Sequence, residues 1–178
     1  MDIDKKVWEV LCSEEQLKTR ITELGEQLSK DYEGKKLMVV SLLKGSFIFC
    51  ADLVRALSVP VRIEFMTTSS YGHGTASSGR VQIVNDIKSD LEGYDVLVVD
   101  DITDSAHTMA HVMEHLKAKN PAIKCCVLLD KPSRREVELV PDYCGFTIED
   151  KFVVGYGLNY GDYYRNIPYV FAVTDQDR

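Results

Sequence analysis

Short apolar runs alternate with helical apolar stripes along this chain. Leu17, Ile21, Leu24 and Leu28 recur at helical spacing behind Ser13 and Gln16, which stand at capping-box distance, so a helix opens there and Gly34 closes the segment. Leu37 to Leu43 is an apolar run broken only by Ser41, which predicts a buried strand. Phe47 to Leu57 predicts a helix and Val61 to Met66 a second strand. Thr67 to Arg80 is the longest polar stretch, with Gly72, Gly74 and Gly79 among Ser, Thr and His, and reads as a functional loop. Asp95 to Val99 predicts a strand running into Asp100-Asp101. Met109, Val112, Met113 and Leu116 predict a helix after it, and Ile123 to Leu129 another strand. Two short strands are expected at Gly145 to Ile148 and Lys151 to Tyr156. Strands alternating with helices imply an α/β fold with a mostly parallel sheet flanked by helices.

The length of 178 residues fits one domain and buries enough surface to need no staple. The 21 Lys and Arg against 28 Asp and Glu give a net charge of −7, which argues against nucleic acid and anionic membranes as partners. A phosphorylated ligand would need local cations, helix N-termini or Mg2+. The cysteines are Cys12, Cys50, Cys125, Cys126 and Cys144, an odd number with no CxxC, as expected of buried thiols in a reducing compartment. The acidic N-terminus lacks a secretory signature and no run approaches a membrane span, so a cytoplasmic location is expected.

The chemistry concentrates in Val96 to Thr108. An apolar strand runs into Asp100 and Asp101, then a polar loop, then a helix. Ligands of open α/β sheets sit beyond the carboxyl ends of the strands, and a helix N-terminus there suits a phosphate. Ser105 and Thr108 add hydroxyls, Asp100 and Asp101 suit sugar hydroxyls directly or through Mg2+, and Asp104 stands where a base would.

This segment resembles the phosphoribosyl-pyrophosphate (PRPP) motif of the type I phosphoribosyltransferases. The likeness runs over nearly the whole chain and comes nearest to the bacterial hypoxanthine-guanine branch. Leu42-Leu43-Lys44-Gly45-Ser46 is similar to that family's pyrophosphate loop, and Ser69-Ser70-Tyr71 to the start of its mobile lid, here about 69–80. Leu128 to Arg135 and Lys151 to Gly157 are similar to its purine-binding segments, and Tyr163-Tyr164-Arg165 to its pyrophosphate-contacting segment. The resemblance implies a single domain over 1–178, with a small hood built from the N- and C-terminal segments over the sheet. It implies transfer of the phosphoribosyl group from PRPP to hypoxanthine or guanine, giving IMP or GMP and pyrophosphate, with Mg2+, in a homodimer or homotetramer.

The same resemblance implies the residue roles. Asp104 takes or holds the proton of purine N7. Asp100, Asp101, Asp104, Ser105, Ala106, His107 and Thr108 hold the ribose phosphate. Lys44, Gly45 and Arg165 hold pyrophosphate, with a cis peptide expected at Leu43-Lys44. Ser70 and Tyr71 close over the reaction. Lys131 donates to the purine 6-oxo group, Phe152 stacks on the base, and the backbone at Val153 reads its edge. Asp100, Asp101 and Asn159 face the metal. Three positions depart from the family pattern: Ala106 where Gly is usual, Asp100 where Glu is usual, and Asn159 where Asp is usual. Ala106 is harmless at helical φ and strained in the left-handed region.

Other readings stand beside this one. His107, His111 and His115 fall at i, i+4 and i+8, but on the side of the helix away from its apolar stripe, as a solvated or subunit-facing row would; zinc is the alternative. Arg134-Arg135 reads as a solvated basic pair or a subunit contact. A phosphorelay receiver would share the Asp pair but needs it near its start, whereas about a hundred residues precede it here. The stronger rival is a non-catalytic PRPP-binding regulator on the same fold, against which Asp104, Lys131 and Phe152 speak.

Overall fold

The computed structural model describes residues 8–70 and 81–173. A six-stranded sheet carries the order β4-β3-β2-β5-β6-β7, where β2 is Leu37–Leu43, β3 Val61–Ser70, β4 Val81–Asn85, β5 Asp95–Thr103, β6 Ile123–Asp130 and β7 Tyr143–Thr147. Five of these strands run parallel; β4 is antiparallel to β3 at the edge. The loops after β2, β5, β6 and β7 therefore meet at one edge.

Helix α1 (Glu14–Asp31) starts at the expected capping box: Ser13 Oγ accepts from Gln16 N at 3.2 Å, and Gln16 Oε1 accepts from Ser13 N at 2.8 Å. Leu17, Ile21, Leu24 and Leu28 pack with α2 (Phe47–Ala56) on one face of the sheet. The apolar stripe of α3 (His107–Lys117) covers the other face with Val40, Val98 and Val127.

A separate three-stranded antiparallel sheet has the order β1-β9-β8, from β1 (Trp8–Cys12), β8 (Phe152–Val154) and β9 (Val170–Val173). It joins residues 8–12 to residues 170–173 and 152–154, and is called the hood below. Val154, Phe171 and Val173 form its core, with Trp8 stacked on Phe171 at 4.0 Å between ring centroids.

Two expectations change. The strand read as ending at Val99 continues through Thr103, so Asp100 and Asp101 belong to it. The reason is its neighbour: β6 offers pairing partners as far as Thr103 opposite Asp130. The polar stretch from Thr67 does not begin as a loop, because Thr67 to Ser70 extend β3 against β4. Of the expected lid, Tyr71 and the rest of 71–80 lie outside the described residues.

Candidate active site

Asp100 is the deepest carboxylate of the site, only 9 % exposed, and lies one residue before the less buried Asp101. Asp100 Oδ1 accepts from Asp101 N at 3.0 Å. Burial pushes both carboxyls above the ordinary range. The charge of Asp101 pushes Asp100 further up, whereas Asp101 is partly drawn back by its hydrogen bonds with Asp100 and by Arg165. Two adjacent buried acids are a poor arrangement for an empty protein and a good one for a cation, so the donor set fits a divalent metal at Asp100 and Asp101. Among the described residues no cluster of three or more His, Cys, Asp or Glu completes a cage, so oxygens of substrate and water would supply the rest.

A cavity of about 270 Å³ opens from this pair and is lined by Asp100 to Ala106, Thr108 and Met109. It lies on the N-terminus of α3, where the first N–H groups have no intrahelical partner and no side chain caps them. Ala106 is the N-cap and holds φ 72°, ψ 0°, the left-handed conformation. The strained alternative for this alanine is thus the one adopted.

Asp104 lies between two cations. Lys131 is buried and its Nζ stands 3.8 Å from Asp104 Oδ2; Arg134 Nε donates to Asp104 Oδ1 at 3.2 Å. The sequence reading missed the second contact: Arg134 is exposed, as a solvated residue would be, but is paired with Asp104, whereas the solvated reading fails for Arg135, whose side chain is only 16 % exposed. A 3-10 turn at Pro132–Arg134 folds the loop after β6 back toward β5, where Lys131 N donates to Thr103 O at 2.9 Å. That brings Arg134 to Asp104 and buries most of Arg135 against Asp130.

The loop expected to hold pyrophosphate follows β2 directly. The Leu43-Lys44 peptide is cis, as expected. Ser46 Oγ donates to Leu42 O at 2.6 Å and lies 2.7 Å from Ser41 Oγ, bracing the loop from below, while Lys44 is exposed. A methyl group at Gly45 would overlap the Asp101 carboxylate, and one at Gly157 would overlap Gly45 O. Arg165 Nη1 donates to Gly157 O at 2.6 Å. Lys44-Gly45, Asp101 and Arg165 are thereby brought together.

Phe152 and Val153 lie on the edge strand of the hood. Phe152 is 37 % exposed and meets Tyr160 edge-on at 5.9 Å; Val153 is buried and pairs with Ala172. Asn159 is exposed and donates to Gly161 O through Nδ2, and it does not line the carboxylate cavity. Ser105 O accepts from Glu136 and Val137, and Thr108 lines the cavity. His107 lies 2.9 Å from Glu136 and His115 2.8 Å from Asp86, so carboxylates of other segments face these two rings. A larger cavity of about 540 Å³ between α1, α2 and residues 166–168 contains none of the predicted site residues. The acids and the helix terminus converge on the smaller one.

The chain is similar to known proteins over nearly its whole length. A family model described as the phosphoribosyl transferase domain matches residues 8–161. The hypoxanthine phosphoribosyltransferase of Salmonella typhimurium is 47 % identical over 173 residues, covering 96 % of this chain and 97 % of that one. The hypoxanthine-guanine phosphoribosyltransferase of Aquifex aeolicus is 47 % identical over 176 residues, covering 98 % and 99 %. A solved hypoxanthine phosphoribosyltransferase from Staphylococcus aureus superposes with a TM-score of 0.89 at 43 % identity, over 93 % of this chain and 91 % of that one. With likeness of this extent spanning the acid pair, the Asp104–Lys131 contact and the hood alike, the chain belongs to the phosphoribosyltransferase family, beside its hypoxanthine and hypoxanthine-guanine members.

Proposed function

We propose that the chain is a purine-salvage enzyme that moves the 5-phosphoribosyl group from PRPP to hypoxanthine or guanine. The products are IMP or GMP and pyrophosphate. The observation that carries this is Asp104: an acid at the mouth of a helix-terminus cradle, in contact with a buried lysine one loop away. A 6-oxopurine offers both groups a partner, a carbonyl for Lys131 and an N7–H for Asp104. The relatives are enzymes by name, and no observation favours the regulator reading.

In the proposed reaction the purine N9–C1′ bond forms as the C1′–O bond to pyrophosphate breaks, and the N7 proton passes to Asp104. The free amides at the start of α3, with Ser105 and Thr108, hold the 5′-phosphate. Asp100 and Asp101 hold the ribose hydroxyls. Lys44, Gly45 and Arg165 face the leaving pyrophosphate, Phe152 stacks on the base and the Val153 backbone reads its edge. Ser70 and Tyr71 would belong to the closing lid. The family's reaction takes a divalent metal; we assign it to Mg2+ beside Asp100 and Asp101, where it would neutralise charge on the diphosphate, and Asn159, which lies outside their cavity, is not among its neighbours there.

We extend the reading to a homodimer or homotetramer in a reducing cytoplasm. All five cysteines are free, four of them buried, and among the described residues no helix is long and apolar enough to cross a membrane. The test is an initial-rate comparison of hypoxanthine, guanine, xanthine and adenine with Mg2+ and PRPP, following pyrophosphate release. Turnover of hypoxanthine or guanine with adenine silent is the expected result. Release with adenine, or with no base, overturns the assignment.

A further inference from the structure

The turn Gly155 to Gly157 closes directly on the pyrophosphate loop, and the two surfaces touch with no atom to spare: Gly157 lies under Gly45 O, and Gly45 under the Asp101 carboxylate. The main chain holds this turn from one side. Tyr156 N donates to Ile167 O at 2.8 Å and Gly157 N to Arg165 O at 2.9 Å. From the other side it is held by a side chain. Tyr156 is buried, with φ 49°, and its phenol donates to Asp52 Oδ2 on α2. That helix starts two residues after Gly45 and is bonded to the loop itself, Phe47 N to Lys44 O at 3.3 Å and Cys50 N to Ser46 O at 2.8 Å. Asp52 and Gly45 therefore move as one body, and the phenol ties that body to the segment that follows β8.

We propose that Tyr156 and Asp52 are positioning residues whose hydrogen bond sets the seam between the Lys44-Gly45 loop and the base-reading strand β8. The bond fixes where the leaving pyrophosphate is held relative to the purine. This rests on the phosphoribosyltransferase reading for where the substrates lie. Burial and the Asp52 charge push the phenol's ionisation far above its ordinary range, so Tyr156 remains a donor at every working pH. Arg55 pairs with the other carboxylate oxygen of Asp52 and points outward, so it can be removed without touching the tether.

The test compares Tyr156→Phe, Asp52→Ala, Asp52→Asn and Arg55→Ala with the parent. The measurements are the KM for pyrophosphate in the reverse reaction with IMP, the KM for hypoxanthine, and the Kd for PRPP by calorimetry. Tyr156→Phe and Asp52→Ala should each raise the pyrophosphate KM and the PRPP Kd about tenfold, the scale of one lost charge-assisted hydrogen bond. Hypoxanthine KM should move less than about twofold in both. Asp52→Asn keeps an acceptor for the phenol and should recover most of the loss, and Arg55→Ala should match the parent. A purely structural role would lower the melting temperature and shift all three constants together or none, and either pattern overturns the proposal. The Kd comparison needs no turnover: a parent that binds PRPP without reacting defeats the functional reading while the tether is still judged on binding, and a parent that binds no PRPP defeats both.

Discussion

Asp100 illustrates how a candidate site carboxylate works against its own fold. An unfolded aspartate titrates near pH ~3.9, and burial followed by the Asp101 charge lifts the folded value above that. Between the two values the folded chain binds the extra proton, so the group's contribution to stability is greatest at low pH and is lost as pH rises through the folded value. Asp100→Asn removes the acid. In chelator and without ligand it should melt higher than the parent at pH 7.5, with the gain shrinking toward pH 4, while its PRPP affinity falls. An equal or lower melting temperature at pH 7.5 would show that the buried charge costs the fold nothing. The identity of Asp100, Asp101, Asp104 and Lys131 as candidates was legible in the sequence because one strand and one loop carry them in order. The burial of Asp100 and Lys131 and the Arg134 contact were not; the contact depends on how the loop after β6 folds back. Tyr156 and Asp52 gave no local signal at all: 104 residues separate them.

Elements that bury a continuous face were the legible ones. Leu37–Leu43 and the capped α1 match their expected starts because an apolar run and a capping box are local signals. The strands β1, β4 and β9 gave none. They are short, β1 and β4 are half exposed, and β1 pairs only with β9 at the far end of the chain. The loop between β5 and α3 falls between these cases. The sequence showed an alanine where the family has glycine, and the backbone shows what that implies: φ 72° at Ala106. A non-glycine residue there carries about 1–2 kcal/mol of strain. Ala106→Gly should relieve it, offset partly by the entropy of glycine, and raise the melting temperature by about 2–4 °C. Affinity for IMP should equal or exceed that of the parent, measured by calorimetry. A fall in IMP affinity with the fold intact would show that the methyl group packs usefully against the phosphate.

At the scale of the molecule, one sheet face is covered unevenly. Helix α2 packs over β2 and β5, so Val39 and Ser41 on β2 are buried. One strand further out, their register partners Ile63 and Phe65 are 40 % and 53 % exposed on the same face of β3. Phe47, at the start of α2, is 45 % exposed. Single exposed apolar side chains are ordinary, but two in register on a strand that continues a buried core surface mark a contact face. The occupant that fits the proposed homo-oligomer is a second copy, meeting face to face about a two-fold axis. Light scattering should then give the parent a mass that is a multiple of 20.1 kDa. Phe65→Glu should shift it toward the monomer, because a carboxylate would enter the contact from both copies, and the exposure of residue 65 leaves the fold itself little affected. A parent that runs as a monomer at micromolar concentration overturns the assembly, and a Phe65→Glu protein that keeps the parent's mass moves the contact to another face.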